Sequence, residues 1–316
     1  MMSSDAVCER QEASFREKLG SRQFVITGEL TPPVGTDVSK TLGNGEIIRD
    51  FVDAVNVTDS QCAVMHMSSV AFSHLLITKN YNVIMQMTCR DRNRIAIQGD
   101  LLGAAALGIQ NVLIMTGDHP SAGNNPGAKP VYDLDPVQVL ETITKMKNGC
   151  DIRGAPISGS FDMCAGCVSN IDPDNMHMMK LHKKVRAGAE FIQTQAIYDI
   201  DKYDEFLELL SDEGIDVPVI GGLVPLRTLK MAEYMDRSIP GITIPEDIFD
   251  RMRNAEDQEE EGLRIAVETV RELKKMCSGV HIMPIGCHAN TKRILEGAGL
   301  LRDSRKTDTV MQEQSL

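Results

Sequence analysis

Residues 191–224 read FIQTQAIYDIDKYDEFLELLSDEGIDVPVIGGLV, and the fold can be worked out from this stretch. An apolar run from Phe191 gives way to Asp201, a residue suited to cap a helix. Beyond it Tyr203, Phe206, Leu207 and Leu210 recur at i, i+3, i+4 and i+7. Gly214 ends that helix, and a second apolar run, VPVIGGLV, starts at Val217. Neither run alternates cleanly between apolar and polar, as expected of strands covered on both faces. The unit is strand, helix, strand.

The same alternation recurs about eight times along the chain. The other strand-like runs are FVITGEL from Phe24, AVNVT from Ala54, NVIMQMTC from Asn82, NVLIMTG from Asn111, a run within residues 156–168, and VHIMPIG from Val280. Helix punctuation lies between them: Asp172 and Pro173 open a helix that stops at Gly188, and Leu263, Ala266, Val267 and Val270 share a face before Gly279. Eight such units with no composition break predict a closed (β/α)8 barrel over residues 23–301 rather than a doubly wound sheet. Residues 1–22 read as an N-terminal helical extension whose Phe15 and Leu19 are suited to close the barrel bottom, and residues 302–316 as a polar tail.

Composition narrows the function classes. The chain has 316 residues, 42% of them hydrophobic, and a net charge of −12, so its field repels polyphosphate backbones and nucleic acid is not an expected partner. No segment approaches the roughly 20 apolar residues that cross a bilayer, and no run has signal-peptide length. Eight scattered cysteines in so long a chain predict free thiols in a reducing compartment, hence the cytoplasm. A homo-oligomer is the expected assembly.

Barrel chemistry sits where strands end, and these ends are unusually polar. The first finishes in Gly28-Glu29-Leu30-Thr31-Pro32-Pro33, the second in Thr58-Asp59-Ser60, the third in Gln86 to Asp91, the fourth in Thr116-Gly117-Asp118-His119-Pro120; the sixth carries Gln193-Thr194-Gln195. An inward-facing Glu29 would be partly desolvated, as a general acid requires, although a lone Glu also fits a helix cap or an ion-pair partner. Asp118 after Thr-Gly reads as a carboxylate presented by a tight turn, or as a plain Asx-turn. Glu29 and Asp118, buried together at one rim beside Gln195, favour a ligand site. The loop HPSAGNNPGAKPVYD that follows could wrap an extended cofactor.

Other motifs carry less. Cys164-Ala165-Gly166-Cys167 on a strand would send its thiols to opposite faces, so they read as core cysteines rather than a redox or zinc pair. Met176-His177-Met178-Met179 reads as a helix face. Neither GxGxxG nor GxxxxGK[ST] is present in a supporting position.

Taken jointly, GELTPP at Gly28, NVTDS at Asn56, MQMTCRDRNR at Met85, LIMTGD at Leu113, KLHKKVRAGA at Lys180, FIQTQAIYD at Phe191 and VIGGLVPL at Val219 resemble the methylenetetrahydrofolate reductase family, from about residue 22 to residue 300. The resemblance implies a flavin-binding (β/α)8 barrel that reduces 5,10-methylenetetrahydrofolate to 5-methyltetrahydrofolate. FAD, or alternatively FMN, would be the cofactor, with NADH or NADPH as electron donor. By the same resemblance Glu29 is the general acid, Asp118 stabilises an iminium cation, and Gln195 meets folate and nicotinamide in turn. Thr58, Asp59, Gln86, Gly117, Asp118, Tyr132, Asn170, Lys183 and Lys184 line the flavin, the lysines meeting its phosphates. No metal is implied.

Three departures stand out. Gln86 occupies a position where many relatives have His. His177 and Lys180 replace the usual Asp and Asn. GCHANTKR has no clear match to an Arg that grips the folate glutamate tail, leaving Lys292 or Arg293 as substitutes. Two alternatives share the fold: a reductase subunit fed by an iron–sulfur protein partner, and a pterin-binding barrel methyltransferase that needs no flavin.

Overall fold

The computed structural model describes residues 13–172 and 174–301; the remainder of the helical extension and the 302–316 tail lie outside them, as does Pro173. Eight parallel strands close in sequence order: β1 (Val25–Leu30), β2 (Ala54–Val57), β3 (Val83–Thr88), β4 (Asn111–Met115), β5 (Cys164–Ser169), β6 (Phe191–Ala196), β7 (Val219–Leu223) and β8 (Gly279–Ile282). Thr27 pairs with Ala54 on one side and His281 on the other, which completes the ring. The described helices are α1 (Phe15–Gly20), α2 (Ser39–Ile48), α3 (Ser69–Ile77), α4 (Arg94–Ala106), α5 (Pro136–Lys147), α6 (Asn175–Arg186), α7 (Ile200–Asp212), α8 (Leu229–Ser238), α9 (Glu246–Asn254), α10 (Gln258–Met276) and α11 (Ala289–Gly297). None of them is long and apolar enough to cross a membrane.

The expected barrel is therefore present, with shifts at element ends. The α7 cap is Asp199, whose side chain accepts from the Lys202 N–H, and Asp201 sits inside the first turn, where its charge faces the positive end of the helix dipole. Likewise Asp174, not Asp172, caps α6 through the His177 N–H. On α10, Val267 is only half-buried while Ile265 and Leu273 complete the inner face. β5 occupies only the end of the run expected within 156–168 and extends one residue past it.

Strand periodicity builds the interior in layers. The lowest layer is apolar: Val25, Ala54, Ile84, Leu113, Cys164, Phe191 and Ile220 pack with Phe15 and Leu19 of α1, so the helix does close the bottom. A capping box between Ser14 and Glu17 starts this short helix, the Phe15 and Phe191 rings meet edge-on at 5.3 Å, and Lys18 Nζ lies 2.8 Å from Asp53 Oδ1. Gly166 is required here, since a Cβ would come within 2.3 Å of the Phe191 ring. Two residues further along the strands the layer turns polar: Thr27, Asn56, Gln86, Gln193 and His281 are all buried. A second core, with Met85, Met87, Ile114, Cys167 and Ile192, fills the space between strands and helices.

Cys164 thus faces the barrel interior and Cys167 the helices, on opposite sides of β5. Burial pushes the thiols of Cys164 and Cys89 up to about 12 and that of Cys167 up to about 11. Only the thiolate reacts, so at pH 8 less than about 0.1% of each is reactive, against roughly a quarter for an unfolded thiol. Iodoacetamide at pH 8 is expected to label these three cysteines only after unfolding in urea; labelling of Cys164 at the same rate in native and unfolded protein would refute the burial argument.

Candidate active site

The second inner layer supports the third, which opens at the mouth. Glu29, one residue before the end of β1, is 9% exposed. Its Oε2 lies 3.5 Å from Gln86 Nε2 on β3 and 3.5 Å from His281 Nε2 on β8. The other ring nitrogen of His281, Nδ1, is 2.9 Å from Thr27 Oγ1, its register partner on β1. The imidazole is fully buried, with Nδ1 held by Thr27, while Nε2 faces the Glu29 carboxyl group and has no hydrogen-bond partner among the described residues. Beside it Asn56 Nδ2 donates to Gln193 Oε1 at 2.8 Å, while Asn56 Oδ1 and Thr58 Oγ1 are buried with no partner among the described residues. From above, His288 Nε2 is 3.3 Å from the Glu29 carbonyl. Burial holds that ring below the usual imidazole range, so it is neutral at pH 7 and donates through Nε2 to the carbonyl, which can only accept.

Sequence reasoning missed Thr27 and His281, and gave no role to Asn56 and Gln193 although both lie in the motifs quoted above. The available signal was parity: Thr27 is two residues before Glu29 and so shares its face, and His281 is the one polar side chain within VHIMPIG.

Asp118 is exposed, which corrects the expectation of two carboxylates buried together. The reason is Gly117, at φ +82°, where a Cβ would sit 2.8 Å from Thr88. This glycine turns the chain outward and leaves Asp118 in solvent. The two carboxylates nevertheless share a neighbour: the Cys62 thiol is raised by burial and then by both Asp118 and Glu29. Tyr132, itself left-handed at φ +41°, fixes the turn by donating from its hydroxyl to the Gly117 carbonyl at 3.1 Å.

Beneath the turn, Arg90 is 2% exposed and gathers three strand ends, donating to Asp91, to the Ser60 carbonyl at 3.2 Å and to the Asp118 carbonyl at 3.4 Å. Asp59 has both oxygens engaged, by the Thr88 N–H and hydroxyl at 2.8 and 3.0 Å and by Arg92 at 2.7 and 3.2 Å. Arg92 continues to Asp100 at 2.8 Å.

Across the mouth, a register shift between Gln193 and Ala196 makes Gln195 the one exposed residue of β6. Gly222 permits the kink, because a Cβ there would meet the Thr194 and Gln195 carbonyl oxygens at 2.5 and 2.6 Å. Gly241 comes down on both Asn170 and Gln195, its Cβ position lying 2.9 Å from the former and 3.7 Å from the latter, so these two rim residues are brought together. Lys184 donates to the Val168 carbonyl at 2.8 Å near the end of β5, and Lys183 is exposed. The two substitutes considered for the tail-binding Arg are engaged elsewhere: Arg293 pairs with Glu260 through two 2.8 Å bonds and Lys292 lies over the Phe51 ring.

The sequence pattern of the methylenetetrahydrofolate reductase family matches residues 14–299. The chain belongs to that family. Among curated relatives, methylenetetrahydrofolate reductase 1 of Schizosaccharomyces pombe is 26% identical over 235 residues, 70% of this chain and 36% of its own length. Methylenetetrahydrofolate reductase (NADH) 1 of Arabidopsis thaliana is 26% identical over 234 residues, 70% of this chain and 39% of its own. The chain therefore spans little more than a third of these reductases. A Clostridium thermocellum protein, described as uncharacterised and binding two copies of 5-methyl-5,6,7,8-tetrahydrofolic acid, shares the fold. It has a TM-score of 0.62 and 15% identity, covering 91% of this chain and 97% of that one.

Proposed function

We propose that this chain reduces 5,10-methylenetetrahydrofolate to 5-methyltetrahydrofolate with a bound flavin, FAD or else FMN, and with Glu29 as general acid. The observation that carries this reading is the Glu29 carboxyl group held at the mouth 3.5 Å from both Gln86 and His281, above a buried polar layer. The reaction needs a proton on N10 of the folate, so that the five-membered ring opens to a 5-iminium cation. Glu29 delivers that proton from its carboxyl oxygen, and His281, held by Thr27 and 3.5 Å away, positions the carboxyl group. Asp118, exposed at the rim beyond Gly117, sets a negative charge near the cation. Gln195 contacts the folate and the nicotinamide in turn.

For the cofactor, Thr58 offers a buried hydroxyl with no partner among the described residues, Gly117 a close backbone approach, and Tyr132, Asn170 and Gln86 flank it. Lys183 is exposed and would meet a phosphate, Lys184 reaches the end of β5, and Asp59 holds Thr88 and Arg92 in place below. When bound, the reduced flavin supplies hydride from N5 to the exocyclic carbon. The Arabidopsis relative is named for NADH, which makes NADH the first donor to try. The Clostridium neighbour is described as binding the product proposed here.

The test is the anaerobic visible spectrum as NADH, NADPH and then methylenetetrahydrofolate are added. Bleaching by a nucleotide and recovery with the folate is the expected result. Flavin that ignores both nucleotides yet is reoxidised by folate after dithionite would move reduction to an iron–sulfur protein partner. A colourless protein that takes up neither FAD nor FMN would overturn the reading.

A further inference from the structure

One hydrogen bond of the second inner layer runs across the barrel rather than along its wall. In the closed order from β1 to β8, β2 and β6 stand four strands apart in either direction, so they face each other over the bore. Asn56 of β2 and Gln193 of β6 bond directly, Nδ2 to Oε1 at 2.8 Å, and are 0% and 6% exposed. Two amides that meet over the bore tie opposite walls together.

Each end of this bond lies beneath residues of the mouth. Asn56 is the register partner of Glu29, and Thr58 with its orphaned hydroxyl follows two residues on. Gln193 is the last β6 residue in register with β7 before the shift: it pairs with Ile220, and Ala196 pairs with Gly222, three steps along β6 against two along β7. The extra residue turns Gln195 outward, so the bond clamps β6 at the root of that irregularity.

Stability alone does not call for amides at this depth. The layer beneath is apolar, whereas here Asn56 Oδ1 is buried without a partner among the described residues, which is costly. An apolar pair would fill the bore without that cost. An acid at either position would bring a second carboxyl group into the layer of Glu29 and compete for its proton. A neutral, directional pair avoids both faults. We infer that the bond between Asn56 and Gln193 is a positioning brace, which on the folate reduction proposed above fixes the separation of the Glu29 wall from the Gln195 wall. Misplacement by about 1 Å can cost about 10²-fold in rate.

Asn56→Leu and Gln193→Met, singly and together, separate positioning from packing. Each single change strands the other amide, so both variants should unfold at lower urea concentration than the wild type. The double variant replaces the bond by apolar contact and should recover most of that loss. It should still load flavin, yet in anaerobic stopped flow its reoxidation by saturating methylenetetrahydrofolate should be at least about 10-fold slower, with little change in the half-saturating folate concentration. The exchanged pair Asn56→Gln/Gln193→Asn keeps a bond of the same total length and should restore most of the rate. Gln193→Met, close to isosteric, gives the same kinetic reading should the double variant not fold. A folded variant lacking the bond that reoxidises at the wild-type rate overturns the brace and leaves the reaction standing. Wild-type flavin that never passes its electrons to the folate overturns both.

Discussion

Replacing Glu29 with Gln is expected to lower folate turnover by about 10²–10⁴-fold, the contribution usual for a positioned general acid. The amide keeps the volume and polarity of a side chain wedged between Gln86 and His281, so the surrounding layer has no cause to rearrange. What it loses is the ionisable proton, and on the proposed chemistry that proton opens the folate ring. Flavin content and reduction by nucleotide should be untouched, because neither requires acid from Glu29. Stopped-flow measurement of the two half-reactions separates them: only reoxidation by methylenetetrahydrofolate should slow. Reoxidation at the wild-type rate would remove Glu29 from its role.

The largest effect on stability is expected at Arg92. Burial works against its charge, and Asp59 and Asp100 more than offset that, raising the guanidinium above its usual range. Its side chain is 13% exposed and that of Asp59 only 5%. Arg92→Met therefore strands a buried carboxylate with Thr88 as its remaining partner, and breaking such a pair costs about 3–5 kcal/mol. Urea unfolding measures the loss. Adding Asp59→Asn should restore part of it, because the charge left uncompensated is then gone. A loss below about 1 kcal/mol would mean that the pair is no more than a surface ion pair.

The strands could be read from the sequence because a barrel repeats one pattern eight times, each apolar run being confirmed by the next. Cap positions could not: Asp199 and Asp201 are the same residue type two apart, and only the side-chain reach to the Lys202 N–H decides between them. Glu29 was legible from its place at a strand end. His281 was not, because its importance comes from ring closure, which sets β8 beside β1 and brings residue 281 against residues 27 and 29. Asp118 was placed at the right rim with the wrong exposure, since burial there depends on the Gly117 turn packing over Thr88.

The plug at the barrel bottom bears on biosynthesis. Phe15 rests on Phe191, and Arg16 bonds Asp162 at 2.9 Å, so part of the surface that holds α1 is translated long after α1 itself. A six-residue helix cannot persist alone in water. While the ribosome works through the first five strands, this segment has only part of its seat, the Phe191 ring and Ile220 being still to come. The helix that precedes β1 is thus among the last of the described helices to be fully seated, and a ribosome stalled before β6 would hold out a chain whose Phe15 has not yet met Phe191.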